Sequence, residues 1–329
     1  MNRRTFLIAA GAPLLATVVP RRVLAARAGG GVVALVTADL EARLVAVELS
    51  SRRIVKRIPT AAGPRSIESN AFGYAVVAHT GHGRLSIVEA ATLSVLGEVV
   101  GFGEPRYTAM HPSERIAYVS DSKSAEVVTV DLVRQRVVHH TRVPGPARHI
   151  SVSSDGRALW TALGTKARAI AVLDLSDSRR PRLVRTVVPP FLAHDVVFAP
   201  GDRQIWVTSG SRSAIAVYAA AGSEPPRLLA ADLPPQHIAF SGSRAYVTSG
   251  DSGTLRVHRL DGSLVRTVPV PAGSYNVTYG AADLTLGRPA AVTPSLDLGT
   301  VCVLAPNGSV RTIRRIARSA HDACIVEAG

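Results

Sequence analysis

Four short phrases recur along the chain: Ile116-Ala117-Tyr118-Val119-Ser120, Ala158-Leu159-Trp160-Thr161, Gln204-Ile205-Trp206-Val207-Thr208 and Arg244-Ala245-Tyr246-Val247-Thr248. Their aromatic residues stand at positions 118, 160, 206 and 246, which are 42, 46 and 40 residues apart. A period of this length marks repeated supersecondary units rather than one irregular core. Each phrase is followed, after a polar turn, by a second alternating run: Val127 to Leu132, Ala169 to Leu175, Ala214 to Tyr218 and Leu255 to Leu260. A third run closes the unit, as in Val137 to Val143 and Leu264 to Val270, and a fourth leads into it at His149 to Val152, Asp195 to Phe198 and His237 to Phe240. Alternating runs bounded by turn residues read as strands. Four per unit is the arithmetic of a propeller blade.

The same register extends back to Arg65 through Val100 and Arg106 through Val143, and forward to Tyr275 through Ile316. The first unit, Gly31 to Thr60, offers only three runs: Val32 to Thr37, Leu44 to Leu49 and Ile54 to Ile58. The missing leading strand is expected from the far end, Ser319 to Val326, whose Ala320-His321-Asp322 repeats the pattern of Ala193-His194-Asp195. The chain is therefore read as all-β, a single seven-bladed β-propeller of four-stranded blades over residues 29–329. Its C-terminal segment supplies the innermost strand of blade one, and closing the ring this way leaves no free sheet edge at the join. Two blades depart from the pattern. Blade four carries a basic insert, Ser178-Arg179-Arg180-Pro181, and the second strand of blade seven, Arg288 to Thr293, follows a longer loop with Asp283 and Leu286.

Phrases such as Ala117-Tyr118-Val119-Ser120, then Thr129-Val130-Asp131, then a run ending near Pro144-Gly145, resemble the YVTN-repeat β-propellers, part of the broad lactonase-like and WD40-like group. The resemblance covers nearly the whole chain after its first segment. It implies the fold closely and the function loosely, since that architecture carries binding proteins, lactonases, lyases and cofactor enzymes.

Residues 1–28 stand outside the repeat. Asn2-Arg3-Arg4-Thr5-Phe6-Leu7 places an arginine pair ahead of an apolar run to Pro20, and Ala26-Arg27-Ala28 fits a cleavage site. This reads as a twin-arginine-like signal peptide, hence an exported protein, periplasmic, wall-associated or extracellular. A run of roughly 15 residues is short for a membrane span. Cleavage would remove five arginines and no acid, taking 38 basic residues to 33 against 24 acidic, a net charge of +9. Only Lys56, Lys123 and Lys166 are lysines, and the arginines are scattered rather than striped. That distribution makes nucleic acid the weaker partner class. Tyr107 and Tyr275 alone offer aromatics among the channel arginines for base stacking.

Function must come from where the blades converge. Aligned blade by blade, the leading position is held by Arg65, Arg106, Arg148, His194, Gln236, Tyr275 and His321, and the next by Ser66, Tyr107, His149, Asp195, His237, Asn276 and Asp322. All fourteen are polar. Three arginines on consecutive blades facing two His-Asp pairs would suit an anionic ligand, small or polymeric, over the channel mouth. Adjacent strand residues point to opposite sides, so His194 and Asp195 are not expected to pair with each other, and acid-base work would need a carboxylate from another blade. No resident cofactor is expected. A divalent metal has one weak candidate pair, His79 and His82, three apart in the turn after blade two's second strand. His139 and His140 read as surface. Cys302 and Cys324 are expected as buried thiols on non-adjacent strands.

Two function classes fit. The first is a monomeric binding protein. The alternative is a lactonase-like hydrolase or lyase acting at the channel mouth with a metal or histidine. Propeller enzymes of that kind resemble one another in placing glutamates beside the histidines. The aligned leading positions here hold no glutamate, which favours binding.

Overall fold

Alternation decides the packing. In the strand Tyr74–His79, Ala75 and Val77 join one buried apolar cluster with Leu35 and Leu44, while Val76 and Ala78 join another with Val119 and Val128. Successive side chains leave a strand on opposite faces, so each blade buries both faces against its two neighbours. This is why the central strands are apolar throughout. Seven such clusters fill the seven gaps between blades.

The computed structural model describes residues 31–220, 224–279, 291–305 and 309–329. Residues 1–28, read above as a signal peptide, and the loop with Asp283 and Leu286 lie outside the described residues, as do the first three residues of the strand expected at Arg288 to Thr293, which is seen as Ala291–Pro294. The described chain forms seven four-stranded antiparallel sheets, and their leading strands touch in cyclic order. No helix among the described residues is long and apolar enough to cross a membrane.

Blade one closes as the sequence implies. The strand Ala323–Glu327 pairs antiparallel with Val32–Ala38, with Val33 opposite Val326 and Leu35 opposite Cys324. Ile325 packs toward blade seven with Val292 and Val301, and Val326 toward blade two with Ile67 and Ala75. Burying two such side chains is worth about 1.5–3 kcal/mol each.

The blade-four insert turns back onto blade three. Arg179 Nη2 donates to Asp131 Oδ2 at 2.6 Å, Tyr118 Oη to the Ser178 carbonyl at 2.8 Å and Thr141 Oγ1 to the Pro181 carbonyl at 2.9 Å. Burial opposes ionisation of Asp131, but hydrogen bonds from Arg134 and Arg179 prevail and hold its carboxyl at about 2. The insert's arginine thus serves as an inter-blade clamp.

Candidate functional site

The leading strands do not run straight into the channel. In blade two, pairing with the second strand skips Arg65, in blade three it skips Arg106 and Tyr107, and in blade five it skips His194 and Asp195. Such bulges free side chains from the ladder and re-aim them. The backbone N–H groups at these leading positions, bulged or not, still need acceptors. Asp195 N donates to Thr208 Oγ1 at 2.9 Å, Tyr107 N to Ser120 Oγ at 3.0 Å, and Asp322 N to Thr37 Oγ1 at 2.9 Å. Two of these hydroxyls then reach the next blade, Thr208 donating to the Gln236 carbonyl at 2.8 Å and Thr37 to the Arg65 carbonyl at 3.1 Å. Thr248 repeats the pattern, accepting from His237 N at 3.3 Å and donating to the Tyr275 carbonyl, so the hydroxyls of Thr37, Ser120, Thr208 and Thr248 latch the channel mouth.

Below the mouth lies a cavity of about 340 Å³ on the propeller axis, bordered by Tyr107, His149, Asp195, His237, Asn276 and Asp322. These are six of the seven residues in the second aligned ring. The seventh, Ser66, is buried and donates to the Arg106 carbonyl at 2.6 Å. The first ring sits above the cavity rather than in its wall. Gln236 Oε1 accepts from Gly250 N at 2.7 Å, which makes it a loop brace, and Tyr275 Oη donates to Asp251 at 3.0 Å. His321 is tied by Nδ1 to the Arg65 carbonyl at 2.8 Å.

One first-ring residue leans into the second. His194 lies with its ring centroid 4.4 Å from that of His149 and 5.5 Å from that of His237, and the latter two are 4.8 Å apart. One ring nitrogen from each of the three falls within 4.8 Å of the others. His194 Nδ1 is 3.0 Å from the Thr165 carbonyl, and His237 Nδ1 is 3.5 Å from Asp195 Oδ2. His149 is 1% exposed; one ring edge faces the His194 backbone, yet neither ring nitrogen makes a hydrogen bond of acceptable geometry. Burial and mutual repulsion hold His149 far below the usual imidazole range and His194 at about 4. Tyr107 flanks the group, 4.2 Å from His149 and 5.7 Å from His237 between ring centroids. Burial pushes its phenol up to about 12, with Arg148 opposing.

The rim is cationic. Arg106 pairs with Glu104, whereas Arg148 stacks over Tyr107 at 5.9 Å and has no carboxylate partner among the described residues. The Nε of each of these two arginines is buried without an acceptor. Arg65 and Arg148 both weigh on His321, which burial and these charges push down to about 3. An acidic wall adjoins it, with Glu68 on the same strand as Arg65 and Asp322 accepting from Ile67 N of that strand at 3.1 Å. Burial raises Asp322 to about 6, and enclosure in the channel, with Asp322 nearby, raises Glu68 to about 8 although its side chain is open to channel water.

Several expectations need correction. Glu68 does border the cavity; it lies one alternation deeper than the two aligned positions, so reading those alone missed it. The carboxylate partner crosses blades, but it is Asp195 reaching His237 rather than His194 reaching an acid. Of the candidate metal pair, His79 is fully buried and spends Nδ1 on the Ala62 carbonyl at 3.2 Å and Nε2 on Ser86 at 2.8 Å, while His82 is exposed. Neither forms part of a three-ligand group among the described residues. His140 faces Glu126 at 2.9 Å on an outer strand, and both cysteines are free and buried.

The sequence matches no protein-family profile. It matches no curated protein either. Among solved structures, a functionally unknown protein from Desulfotomaculum acetoxidans is similar at 13% identity and TM-score 0.76, over 91% of this chain and 100% of that one. Hydrazine synthase from Kuenenia stuttgartiensis is similar at 15% identity and TM-score 0.66, over 84% of this chain and 90% of that one. Likeness at this level concerns the fold: the chain is a seven-bladed β-propeller, closed by its C-terminal strand.

Proposed function

We propose that this is an exported binding protein akin to the YVTN-repeat propellers, which holds a small anionic ligand over the mouth of its central channel. One observation carries the reading: Arg65 and Arg148, flanking Arg106, make no ion pair among the described residues and stand above a polar-walled cavity of about 340 Å³. Cavities of roughly 300–1,000 Å³ suit small molecules, and guanidinium forks suit carboxylates and phosphates. The test is calorimetric titration of metal-stripped protein with inorganic phosphate and with citrate. A charge-assisted hydrogen bond contributes about 1.5–3 kcal/mol, so Arg65→Ala or Arg148→Ala should weaken binding about tenfold or more. Arg142→Ala, on the outer surface, should not. Equal affinity in all three variants would remove the arginines from the site, and heparin retained by an Arg65/Arg106/Arg148 triple alanine variant would place polymer binding elsewhere.

Glu68 supports the second reading, a hydrolase or lyase at the same mouth, because it supplies the glutamate that the aligned positions lack. Turnover of simple lactones, abolished by Glu68→Gln, is what that reading requires.

A further inference from the structure

We propose that His149, His194 and His237 form a three-histidine site for one divalent transition-metal ion at the channel mouth, with its fourth position open to the cavity. The three come from consecutive blades, four, five and six, and each offers a ring nitrogen within 4.8 Å of the others. A tetrahedral ion with metal–nitrogen bonds of about 2.0–2.1 Å needs these nitrogens about 3.3 Å apart. Ring swings of about 20° on fixed backbones close that gap and stay within a rotamer well.

The ring orientations fit the role. The Thr165 carbonyl takes the Nδ1 proton of His194, and Asp195 faces Nδ1 of His237, which leaves the Nε2 lone pair of each ring as the nitrogen free to ligate. Ligating histidines are held this way, by a carbonyl or carboxylate behind the ring. Asp195 is itself fixed, since Oδ1 accepts from Val196 N at 2.8 Å and Oδ2 from Ile238 N at 3.1 Å. The third ring supplies the second argument. His149 is buried with both nitrogens lacking a proper hydrogen bond, and a buried polar group left unmet is destabilising. A metal ion on one nitrogen meets that need with a stronger bond.

The chemistry of the donors names the class. Three neutral imidazoles suit zinc, copper, nickel or cobalt rather than magnesium or calcium, which prefer carboxylate oxygens. Three protein ligands with a free position is the pattern of a site that binds an exchangeable ligand, whereas structural zinc sites are closed by four. The cavity and Tyr107 border that free position. The proposal goes beyond the anion reading and does not depend on it, because the arginines belong to the rim.

The test is titration of the chelator-stripped full-length chain with Co²⁺ in phosphate-free buffer, followed by visible absorption and checked by zinc competition. One ion per chain is expected, with the intense d–d bands of tetrahedral cobalt. His194→Ala and His237→Ala, both half-buried, should each weaken binding at least about 100-fold, and Asp195→Asn, acting behind His237, about tenfold. His82→Ala should leave it unchanged. Zinc at 100 times its dissociation constant should also stabilise the wild-type chain against unfolding, an effect absent in His149→Ala even if that variant is weakened in its fold. No stoichiometric cobalt binding, or binding that survives loss of both His194 and His237, would overturn the site. Phosphate affinity in stripped protein reads the arginine rim separately, so either proposal can fail alone.

Discussion

The dipeptide His-Asp occurs twice at the channel mouth, His194-Asp195 in blade five and His321-Asp322 in blade one, and the two copies share one half of their job. In each, the aspartate accepts from the backbone of its own strand and from the next blade: Asp195 from Val196 and Ile238, Asp322 from Ala323 and Ile67. In each, a threonine latch holds the aspartate N–H. The histidines part company. His194 leans over His149 and His237, whereas His321 is tied to the Arg65 carbonyl under the arginine rim. The surroundings of the aspartates differ as well, since Asp195 faces His237 and Asp322 shares its wall with Glu68. The same two residues are thus stitching in both blades and chemistry in one, and what decides is the neighbour each blade presents.

The sharpest way to break this comparison is through the strand that carries the second copy. Removing residues 319–329 exposes the interfaces filled by Ile325 and Val326, which alone contribute about 3–6 kcal/mol at the usual worth of a buried aliphatic. Against a total stability of roughly 5–15 kcal/mol, the truncated chain should lose cooperative unfolding. A truncation that melts as the full chain does would remove closure from the account.

The shared stitching is tested by a smaller effect. Asp195→Ala and Asp322→Ala each strand two backbone N–H groups, and each should cost about 1–3 kcal/mol in urea unfolding. Similar losses sharpen the parallel, and a loss at one site alone breaks it. Thr37→Val and Thr208→Val, which remove one latch each, should cost about 1 kcal/mol.

The wall that Asp322 shares with Glu68 should appear in the pH dependence of stability. Asp322 and Glu68 have folded pKa values raised to about 6 and about 8, so the fold favours their protonated forms. Their contribution is full below about pH 4 and is lost as pH rises through those values. Denaturation from pH 4 to 9 should show stability falling in that window, with Glu68→Gln flattening the upper part and Asp322→Asn the lower. An unchanged slope in both variants would mean the acidic wall does not titrate as assigned.

Much of the fold was legible because it is written in local periodicity. The aromatics at 118, 160, 206 and 246 give the blade, and the deficit of one strand in Gly31 to Thr60 gives the closure. The aligned rings also contained every member of the histidine cluster. What was hidden is their meeting. His149, His194 and His237 stand 45 and 43 residues apart, so no short ligand motif exists, whereas the His79/His82 pair has motif-like spacing and no site. His194 occupies the other ring in a strict alternation, and only the bulge opposite Thr208 brings it across. Glu68 was legible by counting two residues on from Ser66, but the role of Arg179 was not, because its partner Asp131 lies on a different blade.

The most direct measurement sets the two histidines of the repeated dipeptide against each other: zinc calorimetry on stripped wild type, His194→Ala and His321→Gln. One ion per chain should bind wild type and His321→Gln with matching affinity, and His194→Ala at least about 100-fold more weakly. Zinc lost equally from both variants, or bound by none or with matching affinity by all of the three proteins, would contradict the assignment of metal chemistry to blades four, five and six.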